Sequence, residues 1–153
     1  MALFLVQHGQ SLPKEVDADR SLSEEGEETV ARIAEVAAGY NVFVSVIKRS
    51  SKLRAKQTAD IMASFLKPEM GVQGTNGLNP MDDVAVLSEK ITGEENMMLV
   101  GHLPFMERLV SYLITGSIEI TVFKFQNGGI VCLDREKDTG SWYIKWALMP
   151  EIR

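Results

Sequence analysis

Two stretches decide the fold of this chain: Ala2-Leu3-Phe4-Leu5-Val6-Gln7-His8-Gly9 and Met97-Met98-Leu99-Val100-Gly101-His102. Each is an apolar run of strand length that ends in a histidine with a glycine beside it, and the chain has two histidines in all. In an open α/β sheet, ligands bind at the carboxyl ends of the strands. We therefore predict that His8 and His102 meet in one pocket, and we favour a catalytic role over that of two packed structural histidines.

Outward from these stretches, strand-like and helix-like segments alternate over the first two-thirds of the chain. Ser21 or Ser23 caps the first predicted helix, which stops at Gly39, and Asp82 or Asp83 caps a later helix that reaches about residue 91. Strands are predicted at 3–6, 42–47 and 97–100, a short edge strand within the loop 71–79, and further helices at 53–66 and from Pro104 to Gly116. Alternating β and α units imply a parallel sheet at the centre of the fold.

The last third of the chain has a different pattern. Strands are predicted at 118–125, 129–134 and 141–147, joined by turns at Asn127-Gly128 and Asp138-Thr139-Gly140. Such hairpins add antiparallel strands at one edge of a sheet. With no repeat, low-complexity tract or linker, the sequence predicts a single domain over residues 1–153. Its predicted fold class is α/β: a three-layer αβα sandwich whose sheet is mostly parallel with an antiparallel edge.

The composition narrows the class of function. Sixteen basic and 21 acidic side chains among 153 residues give a net charge of −5, which argues against a general binder of nucleic acids or anionic membranes. Cys132 is the single cysteine and is predicted to be a small buried hydrophobe rather than part of a disulfide. No signal peptide is visible, and no stretch approaches the roughly 20 apolar residues of a membrane span. We therefore expect a cytoplasmic protein.

A third informative segment reads Ser50-Ser51-Lys52-Leu53-Arg54-Ala55-Lys56-Gln57-Thr58-Ala59. It follows a predicted strand and opens a helix, so its unpaired backbone amides suit an anion. Arg54, in the first turn, can offer a fork of donors to phosphate oxygens. We expect Arg54 to point into the site and the neighbouring cations Lys48, Arg49, Lys52 and Lys56 to be solvated.

The two histidines suit phosphoryl chemistry. A neutral imidazole at position 8 is a competent nucleophile toward phosphorus, and its attack leaves a phosphohistidine intermediate. Gly9 would let a bulky anionic group approach the backbone closely. His102 precedes a helix start, and as an imidazolium it would neutralise phosphoryl charge and donate a hydrogen bond.

With these segments in this order, the chain resembles the histidine phosphatase superfamily, which has the phosphoglycerate-mutase-like fold. That family begins with a strand and Arg-His-Gly, continues with Ser-Pro-x-x-Arg-Ala-x-Gln-Thr-Ala, and later carries Gly-His before a helix. The chain length, the stretch Arg20-Ser21-Leu22-Ser23-Glu24-Glu25-Gly26 and the terminal Trp146-Ala147-Leu148-Met149-Pro150 are similar to the small bacterial phosphohistidine phosphatases of the SixA type. The resemblance spans nearly the whole chain.

The resemblance implies a role for each matching position. His8 would be the nucleophile, and Arg54 and His102 would bind the phosphate, with Arg20 as a further ligand. Gln7 stands where the family has an arginine, so it can donate a hydrogen bond but brings no charge. In larger relatives a glutamate protonates the leaving oxygen. No equivalent is evident here, because Asp82 and Asp83 are better suited to cap a helix.

Three functions are compatible with this pattern. The leading hypothesis is a metal-independent phosphatase, without cofactors, that acts on phosphohistidine in a protein partner such as a phosphotransfer or kinase domain and takes part in signal transduction. The second is hydrolysis of a small phosphorylated metabolite. The third is a non-catalytic phosphate or phosphoprotein binding module, which Gln7 favours. A metal site is poorly supported, because the two histidines have no clustered carboxylate or thiolate beside them.

Overall fold

The structure of the protein is a computed structural model that describes residues 2–91 and 96–152. Strands and helices alternate through most of this range. In chain order they are β1 (Leu3–Gln7), α1 (Glu24–Gly39), β2 (Val46–Arg49), α2 (Leu53–Leu66), β3 (Val72–Gly74), α3 (Val84–Ser88), β4 (Met97–Gly101), α4 (Phe105–Thr115), β5 (Ile130–Arg135) and β6 (Trp142–Leu148). In the part of the chain that the structure describes, the six strands form one sheet in the order β3-β2-β4-β1-β5-β6.

The first four strands in this order pair in parallel, whereas β5 pairs antiparallel with β1 and β6 pairs antiparallel with β5. Gln7 at the end of β1 is paired with Gly101 at the end of β4, and Arg49 at the end of β2 is paired with Val100. The carboxyl ends of three neighbouring strands therefore lie at one edge of the sheet. On the other side of β1, β5 and β6 complete the sheet with antiparallel pairing. The predicted parallel sheet with an antiparallel edge is confirmed.

Helices cover both faces of the sheet, which gives three layers. Phe4 and Val6 of β1 contact the core beneath α1 and α2, whereas Leu3 and Leu5 contact the core beneath α3 and α4. All four side chains are buried because successive residues of a strand point to opposite faces, and both faces are covered here. The predicted αβα sandwich is thus the observed architecture.

Local signals set several of the helix ends. The hydroxyl of Ser23 accepts a hydrogen bond from the Gly26 N–H and caps α1, which ends at Gly39. Asp83 caps α3 in the same way, through the Ala85 N–H. Helix α2 spans the predicted residues, and α4 ends before Gly116, whose φ of 80° is a left-handed conformation that suits glycine. None of the helices in the described residues is long and apolar enough to cross a membrane.

Two predicted strands and one helix are corrected by the structure. The strand expected at 42–47 starts only at Val46, where its pairing with Met97 of β4 begins, and it continues to Arg49. The segment expected as a strand at 118–125 is irregular and packs beside α4, where the Glu107 carboxylate accepts a hydrogen bond from the Phe125 N–H. Asn127-Gly128 therefore leads into β5 and is not a hairpin turn. Helix α3 ends at Ser88, before the expected residue 91.

Candidate active site

The two histidines lie side by side at the carboxyl edge of the sheet. His8 directly follows β1, and His102 directly follows β4, the parallel neighbour of β1. The centroids of their rings are 5.0 Å apart, and the ring planes are inclined by 55°. Both side chains are buried at the bottom of a pocket about 460 Å³ in volume. The sequence placed these residues in one pocket, and the structure brings them together there.

His8 is held as a neutral imidazole with its hydrogen on Nδ1. Its Nδ1 lies 2.7 Å from the carbonyl oxygen of Gly9, and because a carbonyl can only accept, Nδ1 is the donor. Burial lowers the pKa of His8 to about 4, although the Gly9 carbonyl raises it in part. At neutral pH the other nitrogen, Nε2, therefore carries a lone pair. This is the protonation state that a nucleophile requires.

His102 is held through Nε2, whereas His8 is held through Nδ1. Its Nε2 lies 2.6 Å from the hydroxyl oxygen of Ser50, which is buried at the end of β2. Burial, followed by repulsion from the His8 ring when it is protonated and from the Arg54 guanidinium, lowers the pKa of His102 to about 3. Without a bound anion the ring is therefore neutral near pH 7, whereas the imidazolium expected from the sequence is one beside a phosphoryl group. A neutral ring still has one N–H, which can donate a hydrogen bond to a phosphoryl oxygen.

Two arginines make the pocket positive. Arg54, in the first turn of α2, and Arg20, in the loop before α1, both line the pocket. The buried Nε of Arg54 has no hydrogen-bond partner among the described residues, and its pKa is lowered by burial and by Arg20. Arg20 has a φ of 52° and donates to the Ser11 hydroxyl at 3.2 Å, which brings its guanidinium to the mouth of the pocket. Two guanidiniums that form no salt bridge within the described residues, beside buried imidazoles, attract an anion.

Carboxylates do not contribute to this pocket in the part of the chain that is described. The residues that line it are Gln7, His8, Gln10, Ser11, Arg20, Arg54, Pro80, His102, Leu103 and Asn127. Asp82 and Asp83, the nearest acids to Pro80 in sequence, accept hydrogen bonds from the backbone at Asn79 and Ala85. Within the same residues, no group of three His, Cys, Asp or Glu side chains is arranged to hold a metal ion.

Gln7 lies in this pocket with a neutral amide. Its side-chain oxygen is buried without a hydrogen-bond partner among the described residues. Its backbone oxygen accepts from the Gly128 N–H, which ties the end of β1 to the segment before β5. A buried acceptor that lacks a donor destabilises the fold. This cost is removed either by a ligand that donates to the Gln7 oxygen or by rotation of the amide, which puts its NH₂ group in place of the oxygen as a donor.

Gly9 has a role other than the expected one. A Cβ at Gly9 would lie 2.7 Å from Cγ2 of Val30 in α1, so the missing side chain admits the helix and not an anion. The Gly9 N–H donates to the Thr58 hydroxyl at 2.9 Å and is therefore not available to a phosphate. The prediction that Gly9 binds phosphate is corrected. The glycine is required because α1 packs directly against the loop that carries His8.

Several supporting residues were not singled out by sequence reasoning. The Thr58 hydroxyl accepts a hydrogen bond from the Gly9 N–H and donates one to the carbonyl of Arg54. It thereby connects the loop that carries His8 to the first turn of α2, which carries Arg54. The side-chain amide of Asn127 donates to the backbone oxygen of His8 at 2.9 Å. Ser50 and Thr58 belong to the 50–59 segment, so their position in that segment was a usable signal. Asn127 carried no signal beyond that of a turn.

Arg49 is also placed differently from the expectation of a solvated cation. It is half-buried, its guanidinium packs 3.2 Å from the position of a Cβ on Gly74, and Nη1 donates to the Ser50 carbonyl. Lys52 and Lys56 are exposed, as expected.

Comparison with known proteins finds solved structures of phosphatases that share the fold of this chain. No protein-family model matches the chain, and no curated protein matches it in sequence. Among solved structures, the protein histidine phosphatase SixA complexed with tungstate is 24% identical, with a TM-score of 0.84 over 98% of this chain and 97% of that one. The chain has the histidine phosphatase fold. This agrees with the resemblance that the three sequence segments indicated.

Other proteins with the histidine phosphatase fold act on different substrates. A mycobacterial glucosyl-3-phosphoglycerate phosphatase is 16% identical, with a TM-score of 0.75 over 97% of this chain and 99% of that one. A phosphoserine phosphatase variant from Entamoeba histolytica, in complex with phosphoserine, is 15% identical, with a TM-score of 0.72 over 98% of each chain. Because these relatives differ in substrate, the fold alone does not identify the substrate of this chain.

Proposed function

We propose that this protein is a phosphatase that removes the phosphoryl group from phosphohistidine in a partner protein through a covalent phospho-His8 intermediate. One observation carries the proposal: a neutral imidazole, with its hydrogen committed to a backbone carbonyl, lies beside a second imidazole and two arginines. A lone-pair nitrogen surrounded by donors that hold phosphoryl oxygens is the arrangement required for nucleophilic phosphoryl transfer.

The reaction proceeds in two displacements. Nε2 of His8 attacks phosphorus, and the P–N bond to the substrate imidazole breaks. The bonding electrons move to the leaving nitrogen, which takes a proton from water. The Gly9 carbonyl accepts a hydrogen bond from the His8 Nδ1–H and thereby stabilises the positive charge that develops on the His8 ring. A water molecule then attacks the phosphorus of phospho-His8, inorganic phosphate leaves, and Nε2 regains its lone pair.

Arg54, Arg20 and the N–H of His102 stabilise the phosphoryl oxygens in both displacements. The two guanidiniums contribute charge, and the neutral His102 contributes a directed hydrogen bond. Removing one donor of this kind typically costs about 2.7–4 kcal/mol, or roughly 10²–10³ in rate. Binding of a dianion also raises the pKa of both histidines, because an opposite charge favours their protonated forms.

Phosphohistidine is the substrate class that best suits a pocket without a carboxylic acid. An alkoxide leaving group needs a proton from a general acid, and the described residues that line this pocket include no Asp or Glu. An imidazole leaves more readily and is protonated by solvent. A polar cleft bounded by α1 and residues 125–127 shares Gln10 and Asn127 with the pocket, and it provides room for protein flanking the phosphorylated histidine. We therefore propose a phosphotransfer or kinase domain as the partner, in cytoplasmic signalling.

Gln7 supports a second candidate, a phosphate or phosphoprotein binding module without turnover. Its amide brings no charge to a place beside the nucleophile, and its oxygen is buried without a partner among the described residues. Such a pocket still binds an anion through Arg20, Arg54 and His102. The two candidates differ in one respect: only the phosphatase forms and hydrolyses phospho-His8.

Trapping the phosphoenzyme tests the proposal. The protein is incubated with phosphoramidate, quenched without acid and analysed by intact-mass measurement, with phosphohistidine peptides of a phosphotransfer domain as the second donor. We expect an added phosphoryl group that is labile to acid and stable to alkali, released as inorganic phosphate on a later chase. The matched control is His8→Asn, which we expect to acquire no phosphoryl group.

Two results would reject the proposal in different ways. Full turnover by His8→Asn would exclude the covalent route. Tight binding of phosphate by the unaltered protein, with neither phosphoenzyme nor release of phosphate, would identify the binding module instead.

A further inference from the structure

Ser50 is buried directly behind His102. Strands β2 and β4 are parallel neighbours, and the N–H of Ser50 donates to the carbonyl of Val100 at 3.2 Å. This backbone contact holds Ser50 beside the residue pair Gly101-His102. The Ser50 hydroxyl oxygen then lies 2.6 Å from Nε2 of His102, and Ser50 is only 1% exposed. Ser50 is not among the residues that line the pocket, so its hydroxyl reaches a bound group only through the imidazole of His102.

The hydrogen between these two atoms has two candidate positions. Either Nε2–H donates to the serine oxygen, or the serine O–H donates to an unprotonated Nε2. In the first case the hydroxyl hydrogen is buried without an acceptor among the described residues, and Nδ1 is a second buried atom without a donor. In the second case only Nδ1–H lacks a partner. A buried polar group without a partner is destabilising, so the second arrangement, which has one such group in place of two, is favoured.

Two further observations agree with the second arrangement. The backbone N–H of Lys52 approaches the serine oxygen at 3.4 Å, which directs an additional donor at that oxygen and leaves the hydroxyl hydrogen to point elsewhere. Burial keeps His102 neutral near pH 7, with a pKa of about 3, so the ring has one hydrogen to place. A ring whose Nε2 accepts from serine carries that hydrogen on Nδ1.

We propose that Ser50 is a positioning residue whose hydroxyl donates to Nε2 of His102 and thereby keeps the ring hydrogen on Nδ1, the nitrogen left to donate to a phosphoryl oxygen. The tautomer is a property of the protein alone, whereas its use toward a phosphoryl group rests on the proposed function. Nδ1 makes no hydrogen bond within the described residues. The unpartnered hydrogen is thus the one that an anion in the pocket satisfies.

Nitrogen NMR of the unaltered protein tests the tautomer directly. In long-range ¹H–¹⁵N spectra near pH 7, recorded without phosphate, the two histidines are assigned by the loss of one set of signals in His8→Asn. We expect His102 to show a protonated Nδ1 and an unprotonated Nε2. A protonated Nε2 in the unaltered protein would overturn the proposal without any variant of Ser50.

Matched variants then test the role of the hydroxyl. We expect Ser50→Ala to give a mixture of His102 tautomers, whereas Ser50→Thr, which retains a hydroxyl, keeps the hydrogen on Nδ1. A pure Nδ1–H tautomer in a folded Ser50→Ala protein would show that the serine does not set it.

A double-mutant cycle separates positioning from structural support. We expect Ser50→Ala alone to lower kcat/KM by roughly tenfold to a hundredfold. When it is added to a His102→Asn protein, we expect it to lower kcat/KM by less than about twofold. Equal losses in both backgrounds would assign Ser50 a structural role and overturn the proposal. If the unaltered protein shows no turnover, the proposed function fails, whereas the tautomer is still decided by the spectra.

Discussion

His8 and His102 follow adjacent parallel strands, yet the protein holds their rings through opposite nitrogens. His8 donates from Nδ1 to the carbonyl of the next residue, so Nε2 is left with a lone pair. His102 accepts at Nε2 from the Ser50 hydroxyl, so Nδ1 is left with a hydrogen. The pocket therefore contains one imidazole suited to attack and one suited to donate, although the two side chains are chemically identical.

The source of the two contacts explains this difference. The partner of His8 is its own neighbour in sequence, whereas the partner of His102 comes from β2, 52 residues away. A contact to the neighbouring carbonyl forms with the local backbone conformation. A contact to Ser50 forms only when β2 and β4 are aligned in register. The donor role proposed for His102 therefore depends on the packing of the sheet more than the nucleophilic role proposed for His8 does.

The largest expected effect comes from replacing each histidine in turn. We expect His8→Asn to reduce single-turnover hydrolysis by about 10⁴-fold or more, because the nucleophile is lost. We expect His102→Asn to reduce it by about 10²–10³-fold, because one donor to the phosphoryl group is lost. Rapid-quench measurement of phosphate release compares the two. Equal losses would contradict the division into a nucleophile and a donor.

Acid should destabilise the fold through these two buried rings. In the unfolded chain a histidine has a pKa near 6.5, whereas His8 in the folded protein has a pKa of about 4. Between these values the unfolded chain binds a proton that the folded protein does not, so the free energy of unfolding falls as pH decreases from about 6.5 to about 4. At about 1.4 kcal/mol for each pH unit, His8 accounts for about 3 kcal/mol of this loss.

Chemical denaturation at a series of pH values, in buffers without phosphate, measures this effect. The control is His8→Asn, which should lose less stability over the same range. Asp17, whose pKa is lowered from 3.8 mainly by the Ser21 hydroxyl, changes the free energy of unfolding only at pH values below this range, and it does so in both proteins. Identical pH dependence of the two proteins would show that His8 is protonated alike in the folded and unfolded states.

Substitutions of Thr58 test how the loop that carries His8 is held in place. Thr58→Val removes the acceptor of the Gly9 N–H and leaves that group buried, so we expect the free energy of unfolding to fall by about 1–3 kcal/mol. Thr58→Ser keeps the hydroxyl and should lose less. The NMR signals of His8 should shift more than those of His102. A larger shift at His102 would mean that the two rings are not supported separately.

The smallest expected effect is a gain from Gln7→Arg. A permanent charge with a fork of donors beside His8 should raise kcat/KM by about tenfold, since it stabilises the transferring phosphoryl group. Affinity for phosphate, measured by calorimetry, separates the outcomes. Higher affinity without hydrolysis indicates a binding module, and a negligible gain together with a damaging Arg20→Ala indicates that Arg20 already serves that space. Weaker phosphate affinity in a folded variant would place Gln7 outside the site.

Most of the fold could be predicted because its signals are local. Helix α2 spans residues 53–66 as predicted from apolar spacing, and Ser23, Asp83 and Gly116 bound their helices as expected. The failures lie where long-range pairing decides. Residues 42–45 and 118–125 are apolar enough for strands, but within the described residues no strand ladder includes them, and they are irregular.

The candidate site divides in the same way. The sequence by itself determined which side chains meet: an apolar run with a histidine at its end puts His8 and His102 at the sheet edge, and a helix start puts Arg54 there. Only the tertiary structure decided which partners hold those side chains and how the histidines are protonated. The packing of α1 assigned Gly9 to a helix contact, and the register of β2 against β4 brought Ser50 to His102. Protonation and tautomer depend on burial and on partners distant in sequence, which no local pattern records.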